Sequence, residues 1–206
     1  MAKVDGHSVG ALFETDAPPR WNSYVTVASV DATAEQAREL GGRVVADPFN
    51  VMDAGRMAVI QDPSGGVVNV WEAREHIGAG LVNAPGALAW NDLMTHDVGT
   101  ASEFYCALFG WEVGTVEDAP DDRVVIRNGE RLNGGMAKIP GEVGEEIPPH
   151  WLAYFAVADV EAAVETAKAA GGEAMAGPIE IPVGEFALLA DPQGAVFAVF
   201  AGDFED

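Results

Sequence analysis

The stretch PPRWNSYVTVASV, which begins at residue 18, returns as PPHWLAYFAVADV at residue 148. Aligned without gaps, residues 18–51 and 148–181 share Pro18 with Pro148, Pro19 with Pro149, Trp21 with Trp151, Tyr24 with Tyr154, Val27 with Val157 and Pro48 with Pro178. The glycine pairs Gly41-Gly42 and Gly171-Gly172 also coincide, and one deletion then brings Gly55 onto Gly184 and DPSG (62–65) onto DPQG (191–194). Self-similarity over so long a stretch marks a duplicated supersecondary unit, which restricts the chain to folds that pack copies of one motif together.

Both copies carry the same local signals. WNSYVTVAS and WLAYFAVAD alternate and are rich in aromatic and β-branched residues, as strands are. DATAEQAREL and EAAVETAKAA are dense in good helix formers, and each runs into a Gly-Gly pair able to adopt the left-handed conformation that closes a helix. A short strand around Val44 or Glu173 follows. Two more come after it, RMAVIQ and VVNVWEA in one copy, FALLA and AVFAVF in the other, joined by Asp-Pro turns with proline at its favoured position. The order is βαβββ. A more diverged third copy lies between them: GALAWNDLMTHD is a strand, DVGTASEFYCALFG an amphipathic helix stopped at Gly110, and WEVGTVED, DRVVIRNG and LNGGMAKIP are strands. The units span residues 18–73, 86–140 and 148–203, with REHIGAGLVNAPG and GEVGEEIP as linkers.

Composition narrows the function. Eleven basic residues stand among 33 acidic ones, a net charge of −22, so no patch can neutralise successive phosphates, and neither nucleic acid nor an anionic membrane is an expected partner. No run of eighteen apolar residues and no apolar signal-peptide core is present, so a soluble, cytoplasmic protein is expected. The single cysteine, Cys106, excludes an internal disulfide and a multi-cysteine metal site, and reads as a small apolar residue.

Three βαβββ units, the helix phrase ASEFYCALFGWEV, the ending GGMAKIP and the hairpins DPSGGVVNVWEA and DPQGAVFAVF resemble the vicinal oxygen chelate superfamily of glyoxalase I, bleomycin resistance proteins and extradiol dioxygenases, most of all its tandem-domain actinobacterial branch. The resemblance implies an α+β fold in which βαβββ modules pair into open curved β-barrels around a pocket. It implies an incomplete first domain over residues 1–80, with GHSVGALFE as the last strand of an otherwise missing module, and a complete domain over 86–203. An open sheet edge invites pairing, so a homodimer that completes the first domain is an expected assembly.

The same family ordinarily holds a divalent metal through His, Gln or Glu on the first and last strands of paired modules. The positions that correspond here are Asn22, Trp90 and Leu152 on first strands and Asn69 and Ala198 on last strands, so no metal or other cofactor is expected. Strand parity then sketches a pocket in the C-terminal domain. If Trp90 and Leu152 face inward, so do Asp92, Met94, Tyr154 and Ala156, with Val196, Ala198 and Phe200 from the last strand. Trp90 and Trp151 would offer stacking surfaces to a flat ligand. Asp92 and Tyr154, with His150 at the mouth of its strand, are the candidate acid–base groups, against the alternative of core residues bonded to backbone. Three functions follow: metal-independent binding of a small aromatic or apolar molecule, an enzyme of glyoxalase, dioxygenase or isomerase type, or an assembly role for the incomplete half.

Overall fold

A computed structural model of the chain describes residues 1–115, 123–141 and 146–203. The end of the expected strand WEVGTVED and most of the linker GEVGEEIP lie outside them. Along the chain run β1 (Ala2–Val4), β2 (His7–Gly10), β3 (Tyr24–Thr26), α1 (Val30–Glu39), β4 (Arg43–Val51), β5 (Gly55–Gln61) and β6 (Val67–Ala73). Then come β7 (Leu88–Thr95), α2 (Val98–Phe109), β8 (Glu112–Thr115), β9 (Arg123–Asn128) and β10 (Arg131–Lys138). The last repeat holds β11 (His150–Ala156), α3 (Val160–Ala169), β12 (Glu173–Ile181), β13 (Gly184–Ala190) and β14 (Val196–Gly202). The fold is α+β, and each of the three repeats is a βαβββ unit.

The punctuation seen in the sequence is what starts and stops these elements. Ser29, Asp97 and Asp159 cap α1, α2 and α3 by accepting from the amides of Ala32, Thr100 and Ala162. Gly110 closes α2 in the left-handed conformation, φ 69°. The strands after α1 and α3 are nine residues each, longer than the short ones expected, because they run on through Pro48 and Pro178. Both lie at the end of their strand order, where proline's missing amide breaks no ladder on the outer side, and both shift register just there. GHSVG also differs from expectation. His7–Gly10 pairs antiparallel with Ala2–Val4, because Asp5 and Gly6 take positive φ (48° and 84°) and make the tight hairpin turn that Asp-Gly favours.

The chain forms two compact units that do not follow its sequence order. One comprises Met1–Trp21, Gly78–Trp90 and Leu152–Asp206, the other Asn22–Ile77 and Asn91–Trp151. In the first unit the strand order is β12-β13-β14-β11, with α3 burying Val160 and Val164 against Leu189 and Val199. Trp21 packs there edge-on to Phe155 with ring centroids 4.8 Å apart, and the two-stranded β1-β2 hairpin belongs to the same unit. In the second unit β3-β6-β5-β4 and β7-β10-β9-β8 are the two strand orders. Helices α1 and α2 meet there, and Gln36 donates to the Ala107 carbonyl at 2.9 Å. Val30, Ile60, Val70, Leu93, Phe104 and Ile126 share one core. Among the described residues no helix is long and apolar enough to cross a membrane.

Candidate functional site

Within the second unit a cleft of about 530 Å³ opens between β3 and the end of α2. Residues 24–28 form one wall, and Leu108, Phe109 and Trp111 form the other. The left-handed turn at Gly110 lets Phe109 and Trp111 meet across the helix stop, their rings 4.8 Å apart. Around them the lining is polar but uncharged, with Thr33, Asn128 and Asn133. Most of the surface the cleft exposes is polar, and the half-buried Phe109 is its main aromatic part, a mixture able to orient a small molecule.

Behind that wall lies a buried polar chain. Tyr105 stacks on Phe109 and Trp111 at 5.9 and 6.1 Å and is wholly buried. Its hydroxyl donates to Asp62 Oδ2 at 2.9 Å and accepts from Trp151 Nε1 at 3.2 Å. Asp62, only 3% exposed, takes the Ser64 amide, the Ser64 hydroxyl and the Gly66 amide on Oδ1. A side chain at Gly66 would place its Cβ 2.5 Å from Asp62 Oδ2, so the turn needs glycine there. Burial, and then the Asp62 charge, push the Tyr105 phenol well above its ordinary pKa, so it stays a neutral donor. A buried carboxylate with this many donors is stable where an unpaired one would not be.

The residues picked from sequence fall in both units. Trp90, Leu152, Tyr154, Val196, Ala198 and Phe200 belong to the first; Asp92, Met94, His150 and Trp151 belong to the second. In the first unit β11 and β14 run parallel with Tyr154 opposite Ala198 and Ala156 opposite Phe200, so the parity read from the sequence pairs these side chains on one face. Leu152, Ala198 and Phe200 are buried, and Tyr154 lies 6.1 Å from the Phe186 ring. Asp92 is 1% exposed, with Oδ2 2.9 Å from Arg123 Nη2, so its carboxylate is ion-paired. His150 Nδ1 stands 2.9 Å from the Pro148 carbonyl oxygen. Trp151 was expected to offer a stacking face, but its ring is 8% exposed and packs edge-on to Tyr105 and Trp111. Its indole N–H finds a buried acceptor in Tyr105, which explains why the ring turns inward.

Sequence reasoning missed Tyr24, Phe109, Trp111, Asn128 and Asn133, because the cleft joins residues from two different repeats and no spacing within one repeat brings them together. The signal that existed was FGWE, a helix stop flanked by two aromatic residues. A second cleft, about 510 Å³, lies in the first unit and has the opposite character: Asp159, Glu161, Glu180 and Glu185 are among its lining residues.

The metal that the resemblance implies has no matching donor set. Trp90, Leu152 and Ala198 carry no atom able to coordinate a divalent ion, and Asn22 and Asn69 offer neutral amides in place of imidazole or carboxylate. Among the described residues no three His, Cys, Asp or Glu side chains group so as to hold an ion.

Comparison with known proteins fits this fold. The Glyoxalase-like domain family matches residues 90–200. CFP32 of Mycobacterium tuberculosis, which carries a provisional glyoxylase name, is 41% identical over 97% of this chain and 78% of its own length. The anthracycline biosynthesis protein DauV of Streptomyces sp. strain C5 is 35% identical over 88% of the chain and 66% of its own. Among solved structures, the Mn(II)-bound glyoxalase of Novosphingobium aromaticivorans superposes with a TM-score of 0.64 at 16% identity, covering 89% of this chain and 63% of that one. Homoprotocatechuate 2,3-dioxygenase of Arthrobacter globiformis gives 0.61 at 15%, covering 97% and 73%. The structural likenesses establish the fold, and the relatives and the matched domain establish descent: this chain belongs to the glyoxalase-like family of the vicinal oxygen chelate superfamily.

Proposed function

We propose that the protein binds a small, flat aromatic or apolar molecule without a metal ion. The observation that carries this is the cleft of the second unit, where the half-buried Phe109 ring, backed by the buried Trp111, faces a strand edge across a lining that bears no charge among the described residues. The ligand-poor character of the family's metal positions, taken by Trp90, Leu152 and Ala198, supports the metal-free part. The likeness to a protein named for anthracycline biosynthesis is consistent with a polycyclic ligand. We further read residues 86–203 as the complete domain and 1–80 as an incomplete one that a second copy of the chain completes when the cleft holds no ligand; the family match over 90–200 supports the first part.

The test is in two steps. Protein purified without a chelator or histidine tag is expected to contain far less than one equivalent of any transition metal by plasma mass spectrometry. Polycyclic aromatic compounds are expected to quench tryptophan emission saturably, and Trp111→Phe should remove most of that response. Sedimentation as a strict monomer at micromolar concentration would dispose of the second-copy reading.

The glyoxylase name borne by CFP32 favours a second function, turnover of a small metabolite by a glyoxalase, dioxygenase or isomerase, with Asp92, Tyr154 and His150 as acid–base groups. Consumption of a bound ligand that Asp92→Asn abolishes would select this function over simple binding.

A further inference from the structure

We propose that the cleft beside β3 selects a neutral planar molecule bearing a hydrogen-bond donor and an acceptor side by side, as a lactam or cyclic imide does; the inference rests on the aromatic-binding function above. Five consecutive residues, 24–28, line the cleft. The first three are β3, whose side chains alternate between two faces, so an unbroken run there lines a cleft through the strand's edge, not through one face. That edge is the outer one, since β3 ends its sheet among the described residues. On its inner side the Ser23 carbonyl accepts from the Asn69 amide at 3.0 Å and the Val27 amide donates to the Trp71 carbonyl at 2.8 Å. Backbone groups of the odd-numbered residues therefore face β6, and those of Thr26 face outward.

The third repeat shows what such an edge takes. Ala156 stands where Thr26 stands in the first repeat. Its amide donates to the Ala87 carbonyl at 2.9 Å, and its carbonyl accepts from the Gly86 amide at 2.8 Å. Thr26 presents the same donor and acceptor to the cleft. In an extended residue the two groups point the same way and lie close together, so a partner must match them with an acceptor and a donor in one plane. The half-buried Phe109 ring on the facing wall favours a flat body for that partner. Neutrality follows from the lining, where no described residue offers a cationic side chain to an anion. The protein's net charge of −22 repels anions further.

Phenanthridin-6(5H)-one, a tricyclic lactam, tests this against its N-methyl derivative, titrated into the full chain by calorimetry and tryptophan quenching. N-methylation removes the donor and keeps the ring and the carbonyl. The lactam is expected to bind about fivefold more tightly than the N-methyl compound, as loss of one hydrogen bond implies. Thr26→Pro deletes the outward amide at an outer edge that tolerates proline, and should weaken the lactam by a similar factor while Thr26→Val does not. A carboxylated lactam should bind about tenfold more weakly than the parent at low salt. Equal affinity of the lactam and its N-methyl derivative would overturn the inference while leaving aromatic binding intact, and equal binding of the carboxylate would overturn neutrality. Failure of all these ligands, and of the parent heterocycle phenanthridine, to bind would overturn the proposed function and this inference with it.

Discussion

The first and third repeats begin with nearly the same words and use them differently. Toward the inside they agree: Val27 donates to Trp71 at 2.8 Å as Val157 donates to Phe200 at 2.9 Å. Toward the outside they part. Ala156 is bonded on its outer edge by Gly86 and Ala87, whereas the corresponding edge at Thr26 borders a cleft. The Asp-Pro turns diverge in the same manner. Asp191 accepts only from amides of its own turn, those of Gln193 and Ala195, among the bonds seen for its side chain. Asp62 does the equivalent for Ser64 and Gly66 and also receives the Tyr105 hydroxyl from a helix in the next repeat. A repeated sequence thus dictates the bonds a module makes with itself, and the neighbour dictates the rest.

The comparison can be broken most sharply at the two turn aspartates. Asp62→Ala should cost about 3 kcal/mol, because it strips a buried hydroxyl of its acceptor as well as unmaking the turn, while Asp191→Ala should cost about 1 kcal/mol. Equal shifts in urea midpoint would mean that the Tyr105 bond contributes nothing beyond the turn. Tyr105→Phe comes next, at about 1–2 kcal/mol, since it leaves Asp62 Oδ2 and the Trp151 N–H without their partner.

The same substitution carries a pH signature. The folded pKa of Tyr105 is raised above its unfolded value near 10, so the native state holds this proton more tightly. Its contribution is complete below about pH 10 and is lost as pH rises beyond that, by up to about 1.4 kcal/mol per pH unit. Denaturation midpoints of the wild type should fall more steeply above pH 10 than those of Tyr105→Phe; parallel curves would remove Tyr105 as the cause. Smallest of all, Ser29→Ala and Asp159→Ala should each cost about 1 kcal/mol, since both side chains make the same single cap bond. A large difference between them would show that equivalent helix starts do not carry equal weight.

Much of this was legible in the residues because it is local. Cap residues, glycine stops and Asp-Pro turns act within a few positions, and they placed the three βαβββ units and their boundaries. The β1-β2 hairpin was signalled by Asp5-Gly6 and passed over in favour of the repeat pattern. Strand parity correctly put Tyr154 beside Ala198, because a ladder fixes which side chains share a face. It could not say that Asp92 would be held by Arg123 or that Trp151 would turn toward Tyr105, since those partners come from other elements and burial decides between the options. The cleft was the least visible feature for the same reason: Thr26, Phe109 and Asn133 are brought together by packing alone.

The polar chain from Trp151 through Tyr105 to Asp62 also bears on how the second unit comes apart. Its three members enter from a turn, a helix and a strand that are far separated in sequence, and neither Asp62 nor Tyr105 can leave without stranding a buried donor. Partial opening is therefore disfavoured relative to opening everything at once. Hydrogen exchange at the Ser64 and Gly66 amides, which lie in a turn where rapid exchange is the usual behaviour, should instead report the slow, global unfolding of the whole unit.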